Sequence, residues 1–253
     1  MINSICEIAR KASEIILNAD RNMQTDQKAG HGNFVTENDI KVQAFIEREL
    51  GILFPDAVFI GEEGDGSAVL TDGDCFIVDP IDGTCNFMYD YKMSAISIAL
   101  LRNREVAAGV IYQPYLDEMF YAEKGKGAYL NGEKITASSN TIGNSLVIFG
   151  SSPYYPELCD KTLDICKNLM KTVRDIRRSG SAASDLAWIA AGRSDLFFEL
   201  RLSPWDFAAG SLICTEAGAV ITQPDGTPLD FSKQCGVAAG SKASFADFIE
   251  FLK

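Results

Sequence analysis

Apolar residues recur at Ile5, Ile8, Ala9, Ala12, Ile15, Ile16 and Ala19, the spacing of a helix with one buried face. Ser4 and Glu7 have the capping-box pattern, so a long amphipathic helix is predicted to begin there. Lys28 to Asn33, "KAGHGN", reads as a loop. Thr36-Glu-Asn-Asp39 predicts a second cap, for a helix through Phe45, Ile46 and Leu50 that ends near Gly51. "AVFIGEE" predicts a strand running into an acidic turn at Glu62 and Glu63. Cys75 to Val78 is uninterrupted apolar sequence, as expected of a strand covered on both faces.

From Ser94 to Ile135 the rhythm is that of strands: "SAISIALL", "EVAAGVIYQ", "EMFYAEKG" and "GAYLNGEKI". Asn131-Gly132 between apolar runs is a hairpin signal. The first half therefore predicts two helices on a largely antiparallel sheet. After Ala137, strands ("SLVIFG", "TVRDI", "SDLFFEL", "AVITQ", "GVAAGS") alternate with helices predicted over Pro156–Met170, Ser181–Ala191, Asp206–Ala217 and Ser244–Leu252. This is a mixed α/β half. The polar stretch at 136–144 suggests two closely packed lobes, an N-terminal α+β lobe over 1–140 and an α/β lobe over 141–253.

The 253 residues, 47% hydrophobic, provide enough chain for a substantial core. No apolar run approaches the roughly 20 residues of a membrane span. The N-terminus lacks the layout of a signal peptide, so a cytoplasmic protein with no membrane partner is expected. A net charge of −12 argues against a nucleic-acid surface. It leaves anionic substrates open, because bound metal ions invert a local field. Seven scattered cysteines without a C-x-x-C pair are expected to be free thiols. The single histidine, His31, reads as a solvated loop residue, which leaves little for His-based zinc or nucleophile chemistry.

Asp-Gly occurs four times, at 65–66, 72–73, 82–83 and 225–226. Such pairs are ordinarily turns, and that is the reading for Asp65, Asp72 and Asp225. "DPIDGT" differs, because Asp79 ends the apolar strand and Asp82 follows three residues later. Pro80 cannot donate to a ladder. Two carboxylates so placed repel unless a cation lies between them, and Mg²⁺ suits hard oxygen ligands, a backbone carbonyl included. Gly83 lets backbone N–H groups approach an anion, and a short helix from Thr84 would aim its positive end there. The residues alone leave two readings, a metal-phosphate site or a turn with two solvated acids. Glu62 and Glu63 at another strand end, and Asp206 at a helix start, add acidic groups. Taken singly, they read as a solvated loop and an N-cap.

Taken together, "GEE" at 61–63, "DPIDGTCNF" at 79–87 and "PWDFAAG" at 204–210 resemble the inositol monophosphatase family of Mg²⁺-dependent, lithium-sensitive phosphatases. The likeness runs along essentially the whole chain. It implies a layered α-β-α-β-α sandwich of the sugar-phosphatase type. It also implies a cage for two to three Mg²⁺ ions from Glu62, Asp79, Asp82, Asp206 and the Ile81 carbonyl. Thr84 would orient the attacking water with Asp39 as its acidic partner, and Glu62 would share in the catalytic set. Gly83, Thr84 and Asp82 would meet the phosphoryl group, while Gly180, Ser181, Ala182 and Glu199 would contact the alcohol half. The implied activity is in-line attack of a metal-activated water on a phosphate monoester, in a homodimer. Cys85 reads as a small packing residue.

The expected substrate is inositol 1-phosphate. The rivals are fructose 1,6-bisphosphate, histidinol phosphate and 3′-phosphoadenosine 5′-phosphate. The adenylate branch usually ends its Asp-Gly-Thr motif in Lys-x-Phe, unlike Asn86-Phe87. Arg177 and Arg178 could serve a second phosphate, and Lys28 aligns loosely with a lysine near the site. A non-catalytic protein that keeps the fold is the alternative outside this class.

Overall fold

The computed structural model describes residues 1–19, 25–27, 34–64 and 66–253. Lys28, His31 and Asp65 therefore lie outside the described residues. The first helix, α1, spans Ile2–Leu17. It starts before the predicted cap: Ser4 lies inside the helix, its N–H donating to the Met1 carbonyl, and no side chain caps the end. The strands β1 (Thr25–Gln27) and β2 (Phe34–Thr36) form an antiparallel ribbon that the hydrophobic pattern did not announce. Helix α2 spans Glu37–Leu53 with Thr36 as its N-cap and Asp39 at N3 in a capping box, as read from the sequence. It runs slightly past Gly51.

Seven strands make the first sheet: β3 (Val58–Gly61), β4 (Cys75–Asp82), β5 (Ala95–Arg102), β6 (Glu105–Gln113), β7 (Glu118–Glu123), β8 (Ala128–Leu130) and β9 (Glu133–Ile135). They lie in chain order, with β3 and β4 parallel and the rest antiparallel. The hairpin at Asn131-Gly132 has positive φ at both residues, as its turn type requires. The apolar run of β4 continues through Pro80 to Asp82, with a register shift against β5 between Asp79 and Asp82. This bulge absorbs the missing N–H of proline.

The second sheet contains β10 (Leu146–Phe149), β11 (Asp175–Arg177), β12 (Leu196–Leu202), β13 (Val220–Thr222) and β14 (Cys235–Gly240). Its order is β11-β10-β12-β14-β13, and it mixes parallel and antiparallel pairs. Its helices are α4 (Cys159–Leu169), α5 (Ala182–Ala190), α6 (Pro204–Glu216) and α7 (Phe245–Ile249), and the short α3 (Thr84–Met88) follows β4.

Three cores stack these elements. Ile8 and Ala12 of α1 and Ile46 of α2 cover one face of the first sheet through Phe76, Val78 and Ile98. Cys75 and Ile77 point the other way, into a central core that holds α5, α6 and one face of the second sheet. Val147, Leu196 and Phe198 on the far face of that sheet pack on α4 and α7. The result is the expected helix–sheet–helix–sheet–helix layering. The two-sided burial of β4 explains its unbroken apolar sequence. Among the described residues, no helix is long and apolar enough to cross a membrane.

Candidate active site

The end of β4, the end of β3 and the starts of α5 and α6 meet at a cavity of about 720 Å³. Glu62, Asp79, Ile81, Asp82, Gly83, Thr84, Gly180, Ser181, Ala182, Glu199 and Asp206 all line it. Asp39 lies one layer behind, fully buried. Residues separated by more than a hundred positions in sequence thus converge as the motifs suggested.

One ligand oxygen each of Asp79, Asp82 and Asp206 lie within 4.8 Å of one another. Each of these aspartates also anchors one oxygen on the protein. Asp79 Oδ1 accepts from the Ile81 N–H at 3.0 Å. Asp82 Oδ2 accepts from the Ser181 hydroxyl and from the Ala183 N–H at 2.8 Å, at the start of α5. Asp206 Oδ2 accepts from the Ser203 N–H at 2.7 Å. Asp206 is therefore the third residue of α6, behind the N-cap Ser203, and not an N-cap itself. Glu62 follows β3 directly, and its N–H donates to the Val78 carbonyl at 3.1 Å, which sets it beside Asp79.

Burial and mutual repulsion disfavour the charged form of these acids. Burial, then Glu62 and Asp82, push Asp79 well above the usual carboxylate range. Burial, then Asp82 and Glu62, do the same to Asp206. Burial pushes Asp82 up to about 6 against the opposing pull of the Ser181 hydroxyl and α5 N–H groups. Three carboxyl oxygens this close and anchored from behind fit a hard divalent cation. The Ile81 carbonyl at the same wall adds a neutral oxygen. The residues that could hold a metal are Asp79, Asp82 and Asp206, whose ligand oxygens converge, with Glu62 and Ile81 on the same cavity wall.

Thr84 Oγ1 lies 3.3 Å from Asp39 Oδ1 and 3.2 Å from the Ile81 carbonyl oxygen. Asp39 Oδ2 accepts from the Thr36 N–H at 2.8 Å and from the Thr36 hydroxyl. Burial raises Asp39 to about 6, against those two hydrogen bonds. Gly83 has φ 89°, and a Cβ there would meet the Met93 and Gly180 carbonyl oxygens at 3.0 and 3.1 Å, so this turn accepts only glycine. Asn86 Nδ2 ties the Met93 and Ser179 carbonyls at 2.7 and 3.0 Å, joining the motif turn to the loop before α5.

At the other end, Glu199 on β12 is buried, accepts from the Ser152 N–H at 2.7 Å and is raised to about 7, chiefly by burial. The two arginines left open by the sequence separate here. Arg177 is exposed and pairs with Asp175 at 2.5 Å. Arg178 lines the cavity, with Nη2 3.4 Å from Ser151 Oγ. Cys85, read as a packing residue, is instead exposed on the cavity wall: in the first turn of α3 it faces the opening, while Asn86 and Phe87 are buried. All seven cysteines are free.

Sequence reasoning missed Asp185, which lines the cavity from α5 at 1% exposure, with Oδ1 lacking a partner. Its signal was present, an acid in a helix that is otherwise apolar. It also missed Arg201 and Gln234, which sit in ordinary polar contexts and reach the wall only through the packing of β12 and β14.

Five layers around a largely buried carboxylate cluster beside a glycine turn define a phosphate-ester hydrolase of the layered α/β class. The inositol monophosphatase family model matches residues 1–251, and the chain belongs to that family. It is 32% identical to the inositol-1-monophosphatase of Bacillus subtilis, over 98% of each chain. It is 40% identical to a fructose-1,6-bisphosphatase/inositol-1-monophosphatase of Thermotoga maritima, over 82% of this chain and 78% of that one. The crystal structure of the extragenic suppressor protein suhB from Bartonella henselae superposes with a TM-score of 0.92 at 35% identity, covering 99% and 97% of the two chains.

Proposed function

We propose that this protein is an Mg²⁺-dependent phosphatase that hydrolyses inositol 1-phosphate to inositol and phosphate. The observation that carries the reading is the anchored Asp79–Asp82–Asp206 cluster on the cavity wall beside Thr84, whose hydroxyl is backed by the buried Asp39. Two to three bound Mg²⁺ ions would neutralise the phosphoryl oxygens and acidify the attacking water.

The chain's own groups do the rest. A hydroxyl has one proton, and that of Thr84 has two acceptors within reach. Were the Ile81 carbonyl to serve as a metal ligand, the hydroxyl would donate to Asp39. The Thr84 lone pairs then accept from water and aim it at phosphorus. The Gly83 and Thr84 N–H groups hold phosphoryl oxygens where charge accumulates. Gly180, Ser181, Ala182 and Glu199 face the alcohol half, with Glu199 accepting from a ring hydroxyl. Water attacks in line, the ester P–O bond breaks, and a proton ends on the departing alkoxide, giving alcohol and phosphate without a phosphoenzyme.

A second reading, fructose-1,6-bisphosphatase, is favoured by Arg178, a cation facing the cavity and suited to a second phosphate. Ranking kcat/KM over inositol 1-phosphate, fructose 1,6-bisphosphate, histidinol phosphate and 3′-phosphoadenosine 5′-phosphate separates the substrates. Release of phosphate that survives exhaustive chelation would overturn the metal-dependent reading. Lithium inhibition, a homodimeric state and a cytoplasmic location complete the proposal. A lithium titration, sedimentation and cell fractionation test them in turn.

A further inference from the structure

The acidic turn after β3 is held from two sides. The Glu62 N–H is fixed by the Val78 carbonyl of β4. The next N–H, that of Glu63, donates to Gln43 Oε1 at 2.9 Å. Gln43 comes from α2, four residues after Asp39, and is 7% exposed. Residues i and i+4 share a helix face, so α2 delivers Asp39 to Thr84 and Gln43 to the acidic turn from one surface. Gly61 makes the second contact possible, because a Cβ at that position would overlap the Gln43 carboxamide. With the N–H groups on both sides of its Cα tied, the direction in which the Glu62 side chain leaves the backbone is set.

We propose that Gln43 is a positioning residue for Glu62, aiming that carboxylate at the cation site without touching metal or substrate. The proposal rests on the reading of Glu62 as a metal ligand. Groups that orient ligands from behind typically change metal affinity by 10–100-fold when removed. Leucine fills a similar volume but has no acceptor, so Gln43→Leu frees the Glu63 N–H and lets the turn relax. Gln43→Glu keeps an oxygen at the same reach.

The test is Mn²⁺ binding by electron paramagnetic resonance, read without turnover, alongside kinetics at saturating Mg²⁺. The expected result is about a tenfold weaker Mn²⁺ site in Gln43→Leu. Gln43→Glu should bind within about twofold to threefold of wild type, and KM for the phosphate ester at saturating metal should stay within about twofold. Glu62→Gln is the control. If it weakens Mn²⁺ binding while Gln43→Leu binds as wild type, the positioning role is overturned and the ligand reading stands. If Glu62→Gln itself binds as wild type, the ligand reading fails and the proposal with it. Should Gln43→Leu not fold, Gly61→Ala decides, since its methyl evicts the carboxamide while Gln43 stays in the chain. Wild-type Mn²⁺ affinity in a folded Gly61→Ala overturns the proposal.

Discussion

Thr84 shows how little a single side chain needs to supply when its surroundings are fixed. Its hydroxyl is held between Asp39 and the Ile81 carbonyl, so its rotamer is set before any substrate arrives. Removing it should lower kcat by about 10²–10⁴, the usual range for lost proton positioning. Thr84→Ser, which keeps the hydroxyl, should recover most of the rate. Half-saturation by Mg²⁺ should move little in either variant. Steady-state kinetics across a Mg²⁺ series checks all three, and a near-normal kcat in Thr84→Ala would remove the hydroxyl from the mechanism. At this scale much was legible, because motif residues announce themselves by type and spacing. Asp79, Asp82 and Asp206 could be read from two short strings. Gln43 could not, since a glutamine on a helix is ordinary until the missing Cβ of Gly61 shows what lies against it. Arg177 and Arg178 differ only in which way a short strand turns them.

Helices α2 and α6 use one device twice. Each carries an aspartate at N3, Asp39 or Asp206, with one oxygen on the N–H of its N-cap residue, Thr36 or Ser203. That bond satisfies an orphan donor at the helix start and fixes which way the second oxygen faces. Asp206→Asn keeps an acceptor for Ser203 but loses a charge from a cluster whose oxygens lie within 4.8 Å. Like charges at that range repel by about 3.5 kcal/mol or more at an effective dielectric near 20. Without metal, the variant should melt at or a few degrees above wild type, yet gain less from Mg²⁺. Calorimetry over a Mg²⁺ series tests this, and equal Mg²⁺-induced shifts would leave Asp206 as a capping residue only. The caps also show where sequence reading of elements holds. Thr36 and Asp39 sit where a cap was expected, because burial and capping agree there. Ser4 and Glu7 have the same pattern but lie within α1, because two more residues extend the helix before it. The β1–β2 ribbon escaped notice, since three-residue strands carry too few positions for a period to register.

Across the whole molecule the buried acids couple stability to pH. Asp39 and Asp82 are raised to about 6 and Glu199 to about 7, and Asp79 and Asp206 also lie well above their ordinary values. A carboxyl raised by folding binds its proton more tightly in the native state. Its contribution is full below the unfolded value near 4 and is lost as pH rises through the folded value. The metal-free protein should therefore lose stability steadily between pH 5 and 8. Exposed acids such as Glu7 and Asp175 are lowered by hydrogen bonds to Lys11 and Arg177, and they act in the opposite sense only below that window. On the proposed metal reading, saturating Mg²⁺ would compete with those protons and should flatten or invert the slope. Melting temperatures in chelator and in Mg²⁺ at matched pH values decide it. A flat metal-free profile would mean that the acids are solvated.

Helix α6 is buried along nearly its whole length in the central core, apolar on every side. Such a helix has no stable surface of its own and settles only when both sheets are in place to cover it. It also carries Asp206. The expectation is that the carboxylate cluster is completed in a late packing event, so that on the proposed metal reading cations find nothing assembled to grip in the transition state for folding. Mg²⁺ should leave the refolding rate where it is and slow unfolding alone. In a chevron plot, the unfolding limb descends with added Mg²⁺ while the folding limb stays fixed.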